Sequence, residues 1–552
     1  MRKNLFLVGL LFFGGYNFIF SQQFDWTSVC GSWAYDYGYG ITTDNSGCVY
    51  VTGKFELNAN FSGVALNSRG NHDMFLAKYS SAGSLLWIKS CGGIYGDYST
   101  AIALNGSYLY VAGEIEGYGN LITFDDSPQT LQVCGDNDVF LAKYDLNGSL
   151  IWAQSAGGFQ SDKALGISVD GNGNVLVCGY YTDSISFSGN NYLLGNGNRD
   201  IFIAKYDSSG NFVWSKSMGS YGRDEAKSIV CDVVGNVFVT GMFSHIVNFG
   251  GTSLTSPNGY YDMFFCKLDP QGNLIWAKQG SSTFDEVGWG ITLDSNGKIY
   301  VAGEFNAYAV FDAFAVTTNG MSDFFVACYD FSGNVIWVKN GGGNLVERAR
   351  GIGSDGQNVF VTGQFGGQMQ LGSTILHASD SSDIFVASLD AAGNFTWALS
   401  VSGNSDSLEQ LGYESGNAIC SDPLSNSVYV TGALLNGGVF GTDTIDGFTR
   451  TDIFVSKLSQ LQLNSELNYF SSYFSILPNP AENQFQILRD NLIGRSVMLN
   501  VFDLTGHEVF STDKCNGITP MIVSTSNWSA GIYFVKLTTS EGIFTQPVFI
   551  NH

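Results

Sequence analysis

Gly290-Ile-Thr-Leu-Asp-Ser-Asn-Gly-Lys-Ile-Tyr-Val-Ala-Gly303 and, after residues 304–322, Asp323-Phe-Phe-Val-Ala-Cys-Tyr-Asp-Phe-Ser-Gly-Asn-Val-Ile-Trp-Val-Lys339 together decide the fold. Each string is two short apolar runs joined by Asp-x-x-Gly. That is a hairpin signal, the Gly supplying the positive φ that a bulged turn requires. Two hairpins make four antiparallel strands, one blade of a propeller.

Working outward, the same unit recurs. Trp26, Trp87, Trp152, Trp214, Trp276, Trp337 and Trp397 are spaced by 61, 65, 62, 62, 61 and 60 residues. Asp-apolar-Phe strings begin at Asp73, Asp138, Asp200, Asp262, Asp323, Asp383 and Asp452, and strand-closing glycines fall at 53, 113, 179, 241, 303, 363 and 432. Three series of seven at this period mean a propeller or a solenoid. The unit exceeds the roughly 40–50 residues of common propeller repeats. The excess lies between the second and third strands, where Phe61, Phe124, Phe187, Phe249, Phe311, Leu371 and Phe440 recur. The first Trp strand precedes all others, and the seventh unit stops near Lys457 without one. The expectation is therefore an all-β chain: a seven-bladed β-propeller over residues 22–458, its last blade closed by the N-terminal strand, then a small C-terminal β-sandwich.

The strings resemble the bacterial β-propeller repeat family, with Tyr-Val-Thr-Gly, then Asp-x-Phe-Val-Ala-Lys-Tyr-Asp-x-x-Gly-Asn and Trp. The resemblance implies a fold, often at cell surfaces, and no single activity. Cys328 and Ser388 stand where other units carry Lys78, Lys143, Lys205, Lys267 and Lys457, so that Lys is not a shared catalytic group.

Over 552 residues, 49 Asp+Glu against 25 Lys+Arg leave a net charge of −24. That excludes the basic footprint of a nucleic-acid binder and disfavours adsorption to an anionic membrane. Arg2 and Lys3, the apolar run from Leu5 to Phe20 and a small residue at Ser21 read as a secretory signal peptide over residues 1–21. No later stretch is apolar enough to span a membrane as a helix. Ten cysteines without a Cys-x-x-Cys pair argue for buried thiols rather than zinc. Cys30 and Cys91 occupy equivalent repeat positions, which leaves a disulfide between them open.

Comparing units within the chain exposes candidate site residues. Five before each inner-strand Ile stands a carboxylate: Asp36, Asp97, Asp162, Asp224, Glu286, Glu347 and Glu414. Such a ring could bind a cation or a polyhydroxylated ligand at one mouth of the channel. The reading favoured here is structural, each carboxylate accepting local backbone N–H groups. The positions two and four before the Ile break the repeat. They hold Tyr37, Tyr39, Tyr98, Trp289, Arg348 and Arg350, aromatics and cations suited to a ligand-binding rim. The Asp-x-x-Gly turns, even Asp170-Gly-Asn-Gly-Asn174, lack the distal Glu of an EF-hand. Neither a nucleophile elbow nor a cofactor fingerprint emerges, so catalytic residues, metal and cofactor are all expected to be none.

From Phe474 the pattern changes, after a polar connector over residues 459–473. Pro478-Asn-Pro480, Val501-Phe-Asp503 with a Gly three residues on, and Ala530-Gly-Ile-Tyr-Phe-Val-Lys536 look like the C-terminal sorting domain of type IX secretion cargo, over residues 474–552. The resemblance implies handling by the type IX secretion machinery and a place outside the outer membrane, released or surface-attached. The usual basic final strand is here Gln546-Pro-Val-Phe-Ile-Asn-His552. The expected function is a non-enzymatic binding module for an extracellular glycan or protein. The alternative is a propeller enzyme such as a glycan hydrolase or lyase.

Overall fold

The computed structural model describes residues 21–189, 191–282, 284–379, 381–403, 414–422 and 424–461. In the tail it describes 475–478, 481–488, 498–503, 508–512, 521–539 and 542–551. The expected signal peptide, Ser21 excepted, and the expected connector beyond residue 461 lie outside the described residues. The chain divides into two compact units, one spanning Gln22–Ser459 and the other containing Gln460–His552.

The first unit is all-β and propeller-like. Its inner strands are Tyr37–Thr43, Asp97–Asn105, Lys163–Val169, Glu225–Cys231, Glu286–Leu293, Arg348–Ser354 and Ser415–Asp422. Each inner strand begins a run of four antiparallel strands; three runs are separate sheets, and the others are joined into two six-stranded sheets and one eight-stranded sheet. Each packs on the next inner strand, and Ser415–Asp422 packs back on Tyr37–Thr43. Small residues permit that approach: a Cβ on Gly40 would stand 3.1 Å from Ile102 of the next sheet. The strand Ser21–Cys30 joins the outer edge of Asp443–Leu461, completing the last sheet. That last strand runs four residues past Lys457, into the expected connector. Ser459 Oγ donates to Asp25 Oδ1 at 2.5 Å.

Two devices recur between neighbouring sheets and explain the repeating residues. The indole N–H of each of five outer-strand tryptophans donates to a carbonyl in the Asp-x-x-Gly-type turn of the following sheet. Trp26 reaches Ser81 O at 3.0 Å, Trp87 Leu146 O at 3.2 Å and Trp214 Pro270 O at 3.1 Å. The turn Gly lies flat on the same ring. At Gly83, φ is +83° and a Cβ would come within 2.6 Å of the Trp26 ring, so backbone conformation and packing both require Gly. Lys78 and Lys143 cap the same carbonyls as Trp87 and Trp152, at 3.2 and 2.9 Å. The repeated lysines are thus structural donors.

The second device accounts for the long repeat. The extra residues between second and third strands form a hairpin whose edge pairs with the outer strand of the preceding sheet. Cys91 pairs Phe124, Ser281 pairs Val310, Gly342 pairs Gln370 and Val401 pairs Phe440. Single bridges, Gly31 to Asn60 and Gly157 to Ser186, do the same elsewhere. An outer strand is otherwise an exposed edge and an aggregation liability, and six of the seven hairpins cover a neighbour's edge in this way, whereas Ile246–Asn248 pairs only with Ser253–Thr255. The recurring Phe or Leu pins the hairpin: Phe61, Phe249 and Leu371 are wholly buried.

In the tail, the strands Ser475–Leu477, Gln484–Leu488 and Met521–Ser524 form one sheet. Glu508–Thr512, Met498–Phe502, Gly531–Thr539 and Gly542–Ile550 form another. Phe485, Leu499, Val501, Val535 and Leu537 share one core between them.

Candidate functional site

Every inner strand carries a β-bulge at the same place. The register shifts between Gly38 and Gly40, Ser99 and Ala101, Ala164 and Gly166, and at the four equivalent steps beyond. The bulged residues are Tyr39, Thr100, Leu165, Lys227, Trp289, Arg350 and Asn417. A bulge adds one unpaired residue and re-aims its side chain. Here all seven line one central cavity of about 250 Å³. A second cavity of about 410 Å³ opens beside it, lined among others by Arg223, Lys227, Trp289, Glu304 and Arg348. The two share Lys227 and Trp289. Together they fall in the roughly 300–1,000 Å³ range of ligand sites. Another cleft, of about 670 Å³, lies elsewhere, at the outer hairpin Ser184–Ser188 with Asn191–Leu194.

The six aromatic and cationic residues singled out from the sequence are brought together in two connected groups. Tyr37 stacks on Tyr39 at 5.7 Å and 3°, and Tyr39 tilts against Tyr98 at 6.0 Å. Across the channel, Trp289 is surrounded by cations, with Lys227 at 4.6 Å, Arg350 at 5.3 Å and Arg348 at 5.7 Å from its ring. Its indole N–H donates to Glu304 Oε1 at 3.0 Å, and Arg348 Nε donates to Glu304 Oε2 at 2.7 Å. Tyr39 and Arg350 are close enough to act on one another electrostatically. Arg350 donates to Gln364 Oε1 at 3.4 Å, while its buried Nε finds no partner. Burial first, and then repulsion from Arg348, brings this guanidinium down to about 10.

Sequence reasoning missed several neighbours. Glu225 is buried and meets Arg199, Arg223 and Lys227 at once. Although burial opposes ionisation, the three cations hold its carboxyl down at about 2. Lys163 contacts Glu114 at 3.4 Å and lies over the Tyr98 ring at 4.2 Å. Arg199 lies over Tyr180 at 4.1 Å. A signal for part of this set existed. The residue just after each strand-closing Gly also breaks the repeat, giving Lys54, Glu114, Tyr180, Met242, Glu304, Gln364 and Ala433. Strand register places it opposite the variable residue four before the Ile, as in Tyr98 to Glu114 and Arg348 to Gln364.

The seven carboxylates do not line the channel. All are buried, and six accept backbone N–H groups. Asp97 takes Gly93 N at 2.7 Å and Glu116 N at 3.0 Å, and Asp162 takes Gly158 N at 2.7 Å and Thr182 N at 3.1 Å. Asp36, Asp224 and Glu414 bridge the same two segments, and Glu347 accepts from Gly343 at 2.9 Å. Glu286 lies instead beside Asp262 and Asp285. The Asp residues of the Asp-x-x-Gly turns are engaged likewise: Asp170 Oδ1 accepts the N–H groups of Asn172 and Asn174, both at 2.9 Å. Among the described residues no cluster of three metal-ligating side chains forms, and nine cysteines, Cys30 and Cys91 included, are free.

Burial raises the carboxylates. Asp36 and Asp224 go to about 6, Asp97 and Glu347 to about 7, Asp162 to about 8 and Glu286 to about 9. The folded state then holds protons that the unfolded chain, ionising near ~4, has lost. Their contribution to stability is complete below that unfolded value and is lost as pH rises through about 6 to 9. The expected result is a higher Tm at about pH 5 than at about pH 9 by calorimetry. A Tm rising steadily across that window would contradict it.

Residues 475–551 match the secretion system C-terminal sorting domain. The chain is thus an exported, type IX-secreted protein, cell-surface or released, with a β-propeller fold. Among the described residues no helix is long and apolar enough to cross a membrane. Over 263 residues it is 25% identical to an uncharacterized WD repeat-containing protein of Acanthamoeba polyphaga mimivirus, covering 40% of this chain and 19% of that protein. Over 197 residues it is 25% identical to the regulatory protein FlaEY of Caulobacter vibrioides, covering 34% and 20% respectively. The chain spans about a fifth of the length of these curated relatives. Among solved structures, a protein from Lactobacillus plantarum aligns at TM-score 0.30 and 11% identity, covering 72% of this chain and 95% of that one. An exotype rhamnogalacturonan lyase, YesX, aligns at TM-score 0.26 and 11% identity, covering 95% and 91%. Neither alignment carries an argument about chemistry.

Proposed function

We propose that the chain is a secreted seven-bladed propeller whose channel mouth is a non-enzymatic binding site for an extracellular glycan. The observation that supports it is the bulge repeated in every inner strand. One backbone device aims seven different side chains into a common cavity, while the frame around them stays uniform. Variation concentrated at the re-aimed positions and the strand positions next to them suits ligand recognition better than packing. Half-buried Tyr39 and Trp289 supply apolar faces with polar tips, suited to a ligand that is apolar on one face and hydroxylated at its edge. The buried carboxylates of the ring are, on this reading, turn-fixing groups and no part of the site.

The test is retention of the purified full chain on a panel of polysaccharides, with product release measured alongside. Trp289→Ala with Arg350→Ala is expected to weaken retention at least tenfold, because truncating such anchors removes ~2 kcal/mol or more. Retention unchanged in the double variant would refute the location. Product release abolished by one carboxylate substitution would establish the hydrolase or lyase reading instead.

A further inference from the structure

The mouth holds a charge surplus that the chain as a whole does not. Acids outnumber bases 49 to 25 in the sequence. Yet Lys163, Arg199, Arg223, Lys227, Arg348 and Arg350 gather on one side of the channel. Glu114, Glu116, Glu225, Glu304 and Asp285 are the carboxylates facing them, six cations against five. The imbalance is sharpest at two places. Glu225 alone meets Arg199, Arg223 and Lys227. Arg350 has no carboxylate within ion-pair distance among the described residues, and its Nε is buried without a hydrogen-bond partner.

Positive charge kept out of water without a counter-charge is unfavourable, and an anion arriving between these groups relieves it. Burial pulls Arg350 downward, as expected for a cation still lacking such a partner. A guanidinium is a planar fork that meets a carboxylate or sulfate with two parallel hydrogen bonds. The overall charge of −24 does not oppose this at contact range, since salt screens beyond ~8 Å at physiological ionic strength. An aromatic side chain stands exposed close by in sequence to one of these cations: Tyr221, 69% exposed, lies two residues before Arg223.

We propose that this mouth takes an acidic polysaccharide, the carboxylate of a uronate or a sulfate ester docking between Lys227, Arg348 and Arg350, a proposal that rests on the glycan-binding reading above. Arg350 is the specificity-determining residue, because its guanidinium is the cation the protein itself leaves unmatched. Arg223, which lines the neighbouring cavity with Lys227 and Arg348, adds a further positive charge.

The test is affinity electrophoresis of the full chain in gels containing polygalacturonate, its methyl ester, dextran sulfate or dextran. Retardation at least tenfold stronger with an anionic polymer than with its neutral counterpart is expected, fading as salt is raised. Preference between polygalacturonate and dextran sulfate distinguishes carboxylate from sulfate. Arg350→Gln is expected to lose tenfold or more of that retardation with Tm unchanged. Should that variant fail to fold, Arg223→Gln, at a half-exposed side chain, is expected to lose three- to tenfold. Anionic retardation unaffected by both substitutions overturns the proposal. Equal retardation by neutral polymers overturns it too, but leaves glycan binding standing. Retardation by no polymer overturns both.

Discussion

Removing residues 22–32 is expected to open the ring and to drive the protein into aggregates. The strand Ser21–Cys30 joins the last sheet to the first by both edge and side chains. Trp26 reaches forward to Ser81 and lies over Tyr79 at 6.3 Å, and Phe24 meets Phe440 edge-on at 5.3 Å. Asp25 pairs with Lys457 at 3.5 Å, Thr27 with Ser456 at 2.9 Å, and Gly31 exchanges two backbone hydrogen bonds with Asn60. Loss of a fully buried tryptophan costs about 3–5 kcal/mol, and half-buried Trp26 contributes part of that. The whole strand should exceed that, against a total stability of about 5–15 kcal/mol. The deletion would also leave the long strand Asp443–Leu461 as a bare edge. Thermal melting and the soluble fraction measure both effects. A truncated protein as soluble and as stable as the parent would contradict closure by this strand.

Deleting residues 474–552 is expected to do the opposite: to leave the fold alone and abolish export. The tail has its own core around Phe485, Val501 and Val535, and the chain separates into units near Gln460. The repeat unit should therefore keep its melting temperature. In a host carrying the type IX apparatus it should accumulate in the periplasm instead of outside the cell. Fractionation with detection in medium, surface and periplasm decides the matter. Undiminished appearance outside the cell would sink the assignment of sorting to this tail.

Much of the architecture was legible because its determinants are local and repeated. Asp-x-x-Gly fixes a turn by bonds within five residues, as Asp170 does with Asn172 and Asn174. The strands follow from apolar runs flanking such turns, and the closing role of Trp26 follows from counting strands. The backbone partners of most of the carboxylate series lie four and about twenty residues away, as for Asp97 and Asp162, offsets short enough to recur along the sequence.

The site was legible only as variation. That Tyr39, Lys227, Trp289 and Arg350 differ where their neighbours agree is visible in the sequence. That each is the extra residue of a bulge is not, because a bulge is a mismatch of register with the facing strand. The cation cluster was hidden for a related reason. Arg199, Arg223, Glu225 and Lys227 come from two adjacent sheets, and only their packing sends three positive charges to one buried carboxylate. By itself the sequence determined the repeat, the strands, the closing segment and the sorting tail, since each is written in short-range pattern. Which side chains meet in the channel, and what charge they leave unbalanced there, was decided only when inner strands far apart in the chain converged on one axis.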